Sequence, residues 1–505
     1  MSWEDNEQML LGNIQSIYYF VPELLLSFFI FIILFMDLLK IDQKVIYALA
    51  PLFLLITFMV QTNLDIRSVY LFEGILRYDA LGVYFKYFTY IVLFVVVLIS
   101  LSSNETNTKA TTTFGFLPAE YLMLTFGLGI GMILLATSNN MLMTYLAIEF
   151  LSLLSYIATG FKFKNKKSNE ASLKYVIYGG VASGIMIYGI SFLYGMTGSL
   201  FYNSIGSFLT NQPTYNVTLF VSILFIYAGL GYKIATIPMH MWCPDVYEGA
   251  PTPVTALLSV GPKAAGFILA LRLFYEVFSV NFQDITHINW PLFIAIISVF
   301  TMTLGNLVAI HQTNLKRLLA YSSIAHAGYV LMGIASISIL GQQSVLFYLV
   351  VYMLMNFGAF LVVILISNRY GVEEIEDYRG LAWKTPYLGF IAVLMTIFLL
   401  SLTGLPPFAG FIGKFYLFSA VIEKGPSYYW LALAGVINSV ISLYYYARII
   451  KAMFLEEART EIALVDGDTQ VLGTAILSVL AFFTLLFGIY WGPVFEVITT
   501  IFASL

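Results

Sequence analysis

The sequence predicts an all-α polytopic membrane protein, and three observations support that fold class. First, 60% of the 505 residues are hydrophobic and only 10% are charged. Soluble globular domains carry about 25% charged residues, so this chain lacks the polar surface that contact with water requires. Second, apolar stretches of about 18 or more residues recur along the chain, and each is long enough to cross the ~30 Å hydrocarbon core as a helix. Third, the connections between these stretches alternate between many and few basic residues.

The apolar stretches predict about 14 transmembrane helices, which we number as spans 1 to 14 in chain order. They lie roughly at 17–38, 45–62, 78–102, 118–137, 140–161, 171–196, 217–240, 259–281, 290–311, 317–338, 344–367, 386–411, 428–453 and 470–499. Each stretch contains few or no charges. The sequence therefore predicts a chain that is embedded in the lipid bilayer along most of its length.

Lysine and arginine are concentrated in the connections that follow odd-numbered spans. These connections contain fifteen basic residues: Lys40, Lys44, Lys109, Lys162, Lys164, Lys166, Lys167, Lys316, Arg317, Arg369, Arg379, Lys384, Arg448, Lys451 and Arg459. Connections after even-numbered spans contain only Arg67, Arg77 and Lys424. Because cytoplasmic loops carry the excess of Lys and Arg, we expect the odd connections on the cytoplasmic side and both termini on the other side.

The other six of the 24 basic residues lie in or near the predicted spans: Lys86, Lys174, Lys233, Lys263, Arg272 and Lys414. A lysine at the centre of a membrane helix costs roughly 2.5–3.5 kcal/mol on insertion scales, so such residues are functional candidates. The alternatives are a side chain that reaches the headgroups and a structural ion pair. Lys86 and Arg272 fit the ion-pair alternative, with an acid such as Asp79 or Glu276 as partner.

Four of these lysines are candidates for binding protons. Lys233 follows a long apolar run and Lys414 is flanked on both sides by aromatic and aliphatic residues. Lys263 lies just behind a Gly-Pro pair at the start of span 8. Lys174 lies about one turn inside span 6, where reaching the headgroups remains an open alternative.

Acidic residues and histidines are scarcer within the spans. Glu149 is the only charge in span 5, which makes it the natural partner for a lysine in a proton switch, whereas Glu23 is interpreted as a helix-end residue. His326 lies mid-span beside serines, and we expect it to relay protons. For His240, a relay and a purely structural histidine remain equal alternatives. Cys243 is interpreted as a small apolar filler.

Two helices are predicted to be discontinuous. Residues 216–256 would form a helix of ~60 Å, about twice the thickness of the core, so the chain must break, and Pro238 is the expected position in span 7. The DVYEGAPTP segment that follows is expected to be a turn. Span 12 is interrupted in the same way by TGLPPFAGFIGK. Discontinuous helices at corresponding places indicate two inverted five-helix repeats, formed by spans 4–8 and 9–13.

The predicted organisation therefore has four parts. Residues 1–117 contain three N-terminal transmembrane helices, residues 118–281 the first repeat, residues 290–453 the second repeat, and residues 454–505 a C-terminal transmembrane helix. One cysteine and four histidines cannot supply the ligands that iron–sulfur clusters and haem require. We therefore expect no redox cofactor and no metal site in this chain.

Four stretches carry a family resemblance: PMHMWCPDVYEGAPTPVTALLS, SVGPKAAGF, YSSIAHAGY and TGLPPFAGFIGKFYLF. They resemble the antiporter-like subunit N of the proton-pumping NADH:quinone oxidoreductases, the respiratory complex I family. The resemblance covers nearly the whole chain. It implies a fourteen-helix fold with two inverted five-helix repeats, and proton movement driven by quinone reduction in other subunits.

The resemblance also assigns functional residues. The matching positions are Glu149, Lys174, Lys233, Lys263 and Lys414, and each has the expected residue type. It implies that Glu149 and Lys233 form the input pair, that Lys263 with Lys174 and His326 carries the proton laterally, and that Lys414 connects to the exit or to a neighbouring subunit.

The resemblance further implies a translocase subunit that performs no redox chemistry itself. NADH, FMN, the iron–sulfur clusters and the quinone, ubiquinone or menaquinone, would be bound by partner subunits. The expected partners are the M-type antiporter-like subunit, the small J-, K- and A-type subunits and the lipid bilayer, with no nucleic acid. The expected location is the inner (plasma) membrane.

Three alternatives stay open at this point. A cation/proton antiporter subunit shares the P-x-H-x-W-x-P-D core, although DVYEGAPTPV is similar to the N type. A ferredoxin-dependent photosynthetic complex contains a similar subunit. A purely structural membrane scaffold predicts that loss of Lys233 or Glu149 leaves proton pumping intact.

Overall fold

The computed structural model describes residues 12–103, 118–162, 164–211, 217–278, 289–458 and 470–503. Within these residues, 14 helices are long and apolar enough to cross a membrane. The predicted all-α polytopic fold is confirmed. One short β-hairpin is the only sheet among the described residues.

The N-terminal part contains three long helices and the hairpin. Its elements are α1 (Asn13–Tyr19), α2 (Val21–Leu38), α3 (Gln43–Thr62), β1 (Val69–Leu71), β2 (Leu76–Tyr78) and α4 (Ala80–Leu101). The strands pair antiparallel, with Val69 opposite Tyr78. Asp79 follows β2 directly and caps α4, because its carboxylate accepts the Gly82 N–H at 2.9 Å.

The next part contains the first of the two predicted interruptions. Its elements are α5 (Pro118–Thr137), α6 (Met141–Thr159), α7 (Lys166–Thr197), α8 (Tyr202–Asn211), α9 (Val217–Ile234), α10 (Trp242–Gly249) and α11 (Thr252–Arg272), which continues as a π-helical turn (Leu273–Val277). Asn140 and Asn165 cap α6 and α7 through their side-chain oxygens. The gap between α9 and α10 is seven residues long.

The remaining part repeats this pattern of long helices with one short gap. Its elements are α12 (Trp290–Ile310), α13 (Leu315–Ser336), α14 (Ile339–Tyr370), a 3₁₀ turn (Ile375–Tyr378), α15 (Leu381–Lys384), α16 (Pro386–Thr403), α17 (Ala409–Glu423), a 3₁₀ turn (Pro426–Tyr428), α18 (Tyr429–Leu455), α19 (Gln470–Ile489) and α20 (Gly492–Ala503). The gap between α16 and α17 is five residues long.

Three helices form the centre of the bundle. The most apolar windows of α11, α13 and α14 are 100%, 94% and 94% buried, whereas that of α2 is only 28% buried. Peripheral helices such as α2 turn large apolar side chains outward, as lipid-facing helices do. Polar side chains on the three central helices are therefore shielded from both lipid and bulk water.

One predicted turn is wrong. The segment expected to form the DVYEGAPTP turn contains helix α10, and the following helix α11 begins at Thr252 rather than near residue 259. Pro244 and Pro253 stand in the first turns of these helices, where proline is tolerated because its missing N–H would have no helical partner. The turn is confined to the two residues between α10 and α11.

The chain leaves the helical path at both expected places. After α9, Ala235 adopts a left-handed conformation with φ 56°, and after α16, Gly404 does so with φ 87°. Each gap also contains one cis X-Pro peptide bond, Ile237–Pro238 and Pro406–Pro407. The relation of the two halves by inversion stays a prediction.

Candidate functional site

Lys233 is placed at the end of the first half-helix. It lies in the last turn of α9, its side chain is buried, and its ammonium donates a hydrogen bond to the Ser152 hydroxyl of α6 at 3.1 Å. A Cβ at Gly266 of α11 would lie 2.5 Å from the Ile234 side chain, so α11 packs directly against this turn. The lysine is therefore enclosed by α6, α9 and α11.

The gap after α9 satisfies its own backbone groups. The Thr236 N–H donates to the Gly231 carbonyl at 2.8 Å, and the Ile237 N–H donates to the Thr301 hydroxyl of α12 at 3.2 Å. An interrupted helix inside a membrane requires such partners, because no water from the bulk reaches the freed groups. The gap between α9 and α10 is thus held by specific hydrogen bonds, one of which connects it to α12 in the second half of the molecule.

Lys263 lies at the centre of the bundle on α11 and is 3% exposed. Its ammonium donates to the Ser323 hydroxyl of α13 at 2.5 Å and lies 3.8 Å from the Cys243 sulfur. It also lies 5.3 Å from the centre of the Tyr247 ring. Cys243 and Tyr247 both belong to α10, so the second half-helix forms one wall of the lysine site. The interpretation of Cys243 as an apolar filler explains its burial but missed this contact.

His326 is the centre of a hydrogen-bonded chain. Its Nδ1 lies 2.5 Å from the Tyr348 hydroxyl and its Nε2 lies 3.3 Å from the Tyr446 hydroxyl. Tyr446 is in turn 2.5 Å from the Ser322 hydroxyl. A neutral imidazole donates from one ring nitrogen and accepts at the other, so the chain is suited to pass a proton. Ser322 is the neighbour of Ser323, the hydroxyl that binds Lys263.

Lys414 lies in the second half-helix of the other interruption. It is 3% exposed, and its ammonium donates to the Thr403 carbonyl at 2.8 Å and to the Ser439 hydroxyl at 2.7 Å. Thr403 is the last residue of α16, so the lysine satisfies a carbonyl that the interruption frees. The ammonium also lies 4.3 Å from the centre of the Tyr329 ring. Tyr329 and His326 are one turn apart on α13, which places Lys414 beside the histidine chain.

Glu149 is partly exposed on α6 and is not in direct contact with a lysine. Among the described residues, no ion pair within 4.0 Å includes this carboxylate. Glu149 lies three residues before Ser152, the serine that binds Lys233, and residues at this spacing share one face of a helix. The carboxylate is near enough to interact electrostatically with the Lys233 ammonium. The pairing of Glu149 with Lys233 as the input pair stays a prediction, and the hydroxyl that binds the lysine is that of Ser152.

Lys174 is placed apart from the other lysines. Its side chain is 39% exposed, and its ammonium binds Asp245 at 2.7 Å and Glu170 at 2.8 Å. Arg317 of α13 binds the other oxygen of Asp245 at 2.6 Å. Burial raises the pKa of Asp245, but hydrogen bonds from Lys174 and Arg317 outweigh it and hold that pKa below its usual value. This cluster fixes α10 to α7 and α13 at the end of the bundle with the basic connections.

The other buried cations have acidic partners. Arg272 binds Asp79 in a bidentate arrangement at 2.7 and 3.0 Å, and it also lies 3.4 Å from Glu276. The predicted pairing of Arg272 agrees with these contacts. Lys86 instead binds Glu23 at 2.7 Å, and both side chains are 2% exposed. Glu23 lies at a helix end as expected, in the first turn of α2, but its ion pair with Lys86 was not predicted.

The tyrosines of the histidine chain were missed by the sequence analysis. Tyr348 and Tyr446 stand among many aromatic residues in apolar helices, and the chain contains 35 tyrosines. What marks these two tyrosines is the burial of their hydroxyls in the structure, because a buried phenol needs a hydrogen-bond partner. His240 is buried, and its Nδ1 has no hydrogen-bond partner among the described residues, so its role in a relay stays a prediction.

Four buried nitrogen groups, which we call the row, share one type of surroundings. Lys233, Lys263, His326 and Lys414 have their hydrogen bonds to serine and tyrosine hydroxyls, a thiol or a backbone carbonyl. Hydroxyl groups both donate and accept, so they support proton exchange between nitrogens. Among the described residues, no group of three or more His, Cys, Asp or Glu side chains has the geometry of a metal site.

Comparison with known proteins gives consistent matches. A family model described as NADH:quinone oxidoreductase/Mrp antiporter, TM, matches residues 138–442. NADH-quinone oxidoreductase subunit N of Anaeromyxobacter sp. (strain Fw109-5) is 43% identical over 95% of this chain and 95% of its own length. A chain of the respiratory complex I from Thermus thermophilus is 27% identical, with a TM-score of 0.73 over 92% of this chain and 97% of that chain.

A chain of the Mrp complex from Dietzia sp. DQ12-45-1b shares the fold, with a TM-score of 0.73 at 20% identity over 97% of this chain and 96% of that chain. The family model includes the Mrp antiporters by description, so this likeness agrees with it. The match at 43% identity extends over nearly the full length of both chains. The chain therefore belongs to the NADH:quinone oxidoreductase/Mrp antiporter family and, within it, to the subunit N group of the NADH-quinone oxidoreductases.

Proposed function

We propose that this chain is the proton-translocating membrane subunit of a NADH:quinone oxidoreductase, and that its buried lysines carry the protons. One observation supports the second part most strongly. Lys233, Lys263 and Lys414 are at most 3% exposed, yet none has a carboxylate within 4.0 Å among the described residues. A buried ammonium without a counterion has a high desolvation cost, so the loss of its proton is facile.

The paired cations provide the internal contrast. Lys86 and Lys316 are as deeply buried, and each binds a carboxylate, Glu23 at 2.7 Å and Glu373 at 2.8 Å. A paired lysine is stabilised in its charged form. The three lysines without a carboxylate thus differ from the other buried lysines, because no acidic partner stabilises their charge.

The route we propose begins at Lys233 and ends at Lys414. Lys233 binds the proton while Glu149 is charged nearby, and separation of the two side chains favours its release. Lys263 and the hydroxyl of Ser323 receive the proton at the centre of the bundle. His326, with its two tyrosine partners, carries it to Lys414.

Lys174 takes a different part in this proposal. Its ion pairs with Asp245 and Glu170 lie at the end of the bundle with the basic connections. Asp245 belongs to α10, the half-helix that also supplies Cys243 and Tyr247 to the Lys263 site. We infer that Lys174 positions α10 and affects Lys263 through it, while the four buried groups bind the proton.

The two halves are proposed to be inverted repeats, with residues 118–281 and 290–453 as the units and residues 1–117 and 454–505 outside them. Both halves contain a short gap after their fourth long helix, and both gaps lie beside a lysine. The lysine lies before the first gap and after the second. The gaps follow the seventh and the twelfth span, and an offset of five spans reverses the direction in which the chain crosses the membrane, which supports the inversion.

The redox reaction is assigned to partner subunits. NADH, FMN, the iron–sulfur clusters and the quinone would be bound there, and this chain would perform no redox chemistry. We propose M-, J-, K- and A-type membrane subunits as neighbours. We propose an inner (plasma) membrane location, and the excess of basic residues on one side supports an orientation with the basic connections in the cytoplasm and both termini outside.

The experiment that tests this function uses the assembled enzyme in vesicles. Lys233→Ala and Lys414→Ala variants are reconstituted, and quinone reduction and proton uptake are measured together. We expect both variants to assemble and to lose proton uptake relative to quinone reduction. Lys316→Ala is the matched control, because this buried lysine has a carboxylate partner. Normal proton uptake in both variants, with normal assembly, would refute the proposal in favour of a structural scaffold.

A further inference from the structure

A second buried charged site lies in the first three long helices, outside the residues that the family model matches. Glu23 stands in the first turn of α2 and Lys86 in the second turn of α4. The Glu23 Oε1 and the Lys86 Nζ are 2.7 Å apart, and both side chains are 2% exposed. The ammonium also lies 5.0 Å from the centre of the Tyr78 ring and 3.4 Å from the Tyr19 carbonyl.

Several buried polar atoms around this pair have no hydrogen-bond partner among the described residues. They are the second carboxylate oxygen of Glu23, the side-chain carbonyl of Gln61 and the hydroxyl of Tyr90. Gln61 lies in the last turn of α3, and its amide donates to the Tyr78 hydroxyl at 3.1 Å. Glu23 interacts electrostatically with both Tyr78 and Tyr90, so these groups lie around one site.

Unsatisfied polar atoms at this depth need an explanation. A buried polar group without a partner lowers stability, and such groups in proteins are usually bound by internal water. Three of them lie around one carboxylate–ammonium pair. Water bound between these groups would satisfy the free oxygen of Glu23 and the free acceptor of Gln61.

The pair of Arg272 with Asp79 shows what a purely structural ion pair looks like in the same molecule. Both oxygens of Asp79 accept hydrogen bonds, one from Arg272 and the Gly82 N–H, the other from Arg272, and the Arg77 Nε lies 3.1 Å from the second oxygen. The carboxylate of Glu23, in contrast, contacts its lysine through one oxygen only. The two sites therefore differ in how completely their charges are satisfied.

We propose that Glu23, Lys86 and Gln61 form a hydrated proton-binding site that is separate from the row of lysines. The proton of the Lys86 ammonium moves along the direct contact to Glu23, which gives a neutral amine and a neutral carboxylic acid. The N–H bond breaks, the O–H bond forms, and the pair has zero net charge before and after. A low-dielectric interior holds either state, because neither leaves an isolated charge.

The position of the site connects it to the row. Tyr78, which contacts both Gln61 and Lys86, directly precedes Asp79. Asp79 binds Arg272, and Arg272 lies on α11, the helix that carries Lys263. The site lies at the end of the bundle opposite the basic connections. A change of charge at Glu23 thus has a contiguous path of contacts to the central helix.

The test compares a neutral double variant with the native pair in the assembled enzyme. In Glu23→Gln/Lys86→Met, the shape of the pair is largely kept and no lone charge remains, so we expect normal assembly. We expect a loss of proton uptake per quinone reduced, together with loss of a carboxylic-acid infrared band that shifts in D₂O. The exposed pair on the same side, in Asp65→Asn/Arg67→Met, is the matched control.

A double variant that assembles and keeps the native proton uptake would overturn the site and leave the pair as structural. If the double variant fails to assemble, Glu23→Asp decides, because it keeps a carboxyl group and must shift the infrared band. Absence of any shifted band in that variant also overturns the proposal.

The proton-uptake readout of this inference rests on the proposed function, so Lys233→Met is measured alongside to tell the two apart. If Lys233→Met loses proton uptake and the assembled double variant keeps it, the Glu23 site is refuted. Normal uptake in both variants refutes the proposed function as well.

Discussion

The hydroxyl of Ser323 is predicted to control the protonation of Lys263. Ser323 is the nearest partner of the ammonium, at 2.5 Å, and the other close atom is the Cys243 sulfur at 3.8 Å. In Ser323→Ala the ammonium keeps only the weak sulfur contact and the Tyr247 ring. The charged form of the lysine is therefore the species that loses stabilisation.

The magnitude follows from the type of bond. A hydrogen bond to a charged group contributes about 1.5–3 kcal/mol, and each 1.4 kcal/mol corresponds to about a factor of ten in an equilibrium. Ser323→Ala should thus reduce the ratio of protonated to neutral Lys263 by roughly ten- to one-hundredfold. If the proton passes through Lys263, proton uptake should fall by about the same factor at a fixed pH.

The assay is proton uptake in vesicles that contain the assembled variant enzyme, with quinone reduction recorded in parallel. Ser323→Thr keeps the hydroxyl and should retain most of the activity. Ser336→Ala is the matched control, because this buried serine of the same helix hydrogen-bonds to the Gly333 carbonyl and to the Ser338 hydroxyl rather than to a lysine. Equal proton uptake in Ser323→Ala and Ser336→Ala would refute the reasoning.

Three further predictions concern groups outside the row. Asp79→Asn breaks the buried pair with Arg272, which should cost about 3–5 kcal/mol and lower the melting temperature of the assembled enzyme; an unchanged melting temperature would contradict it. Burial lowers the pKa of Lys424 to about 8, so its acylation should be half-maximal near that pH by mass spectrometry, whereas a profile identical to that of the exposed Lys451 would argue against it. Two basic partners lower the pKa of Asp245, so its stabilising contribution is complete above about pH 4 and is lost as the pH falls; Asp245→Asn should therefore reduce the acid sensitivity of the melting temperature, and an equal sensitivity would count against this role.

The number and position of the membrane helices could be predicted because the bilayer imposes one length scale and excludes charge. Each span needs about 20 apolar residues, and the connections show as interruptions of that pattern. The same rule explains why the predicted DVYEGAPTP turn was wrong. Helix α10 is only eight residues long and contains polar and proline residues, so it has no apolar pattern to detect. A half-helix within a protein interior does not face lipid and escapes this constraint.

The candidate lysines could be predicted from sequence because an ionisable residue within an apolar run is conspicuous. Lys233, Lys263 and Lys414 are buried in the structure as expected. Their partners could not be predicted, since a serine or tyrosine within a helix has many possible neighbours. Tyr348 approaches His326 from a helix that follows it, and Tyr446 approaches it from a helix that is 120 residues away in the chain.

The position of Lys174 illustrates the limit of reasoning from one span. The place of Lys174 in the sequence agrees with a lysine that carries protons and equally with a lysine at the end of a span. Its two acidic partners come from α7 and α10. The Glu23–Lys86 pair was missed for the same reason, because α2 and α4 are brought together only by the packing of the bundle.

The central claim is that the unpaired lysines form one row and act in series. The most direct test is the ratio of protons taken up to electrons transferred in vesicles with the triple variant Lys233→Met/Lys263→Met/Lys414→Met. Residues that act as one unit are strongly non-additive, so we predict that the triple variant loses no more proton uptake than the most severe single variant. A native ratio in the fully assembled triple variant, or additive losses from the three single variants, would contradict the account.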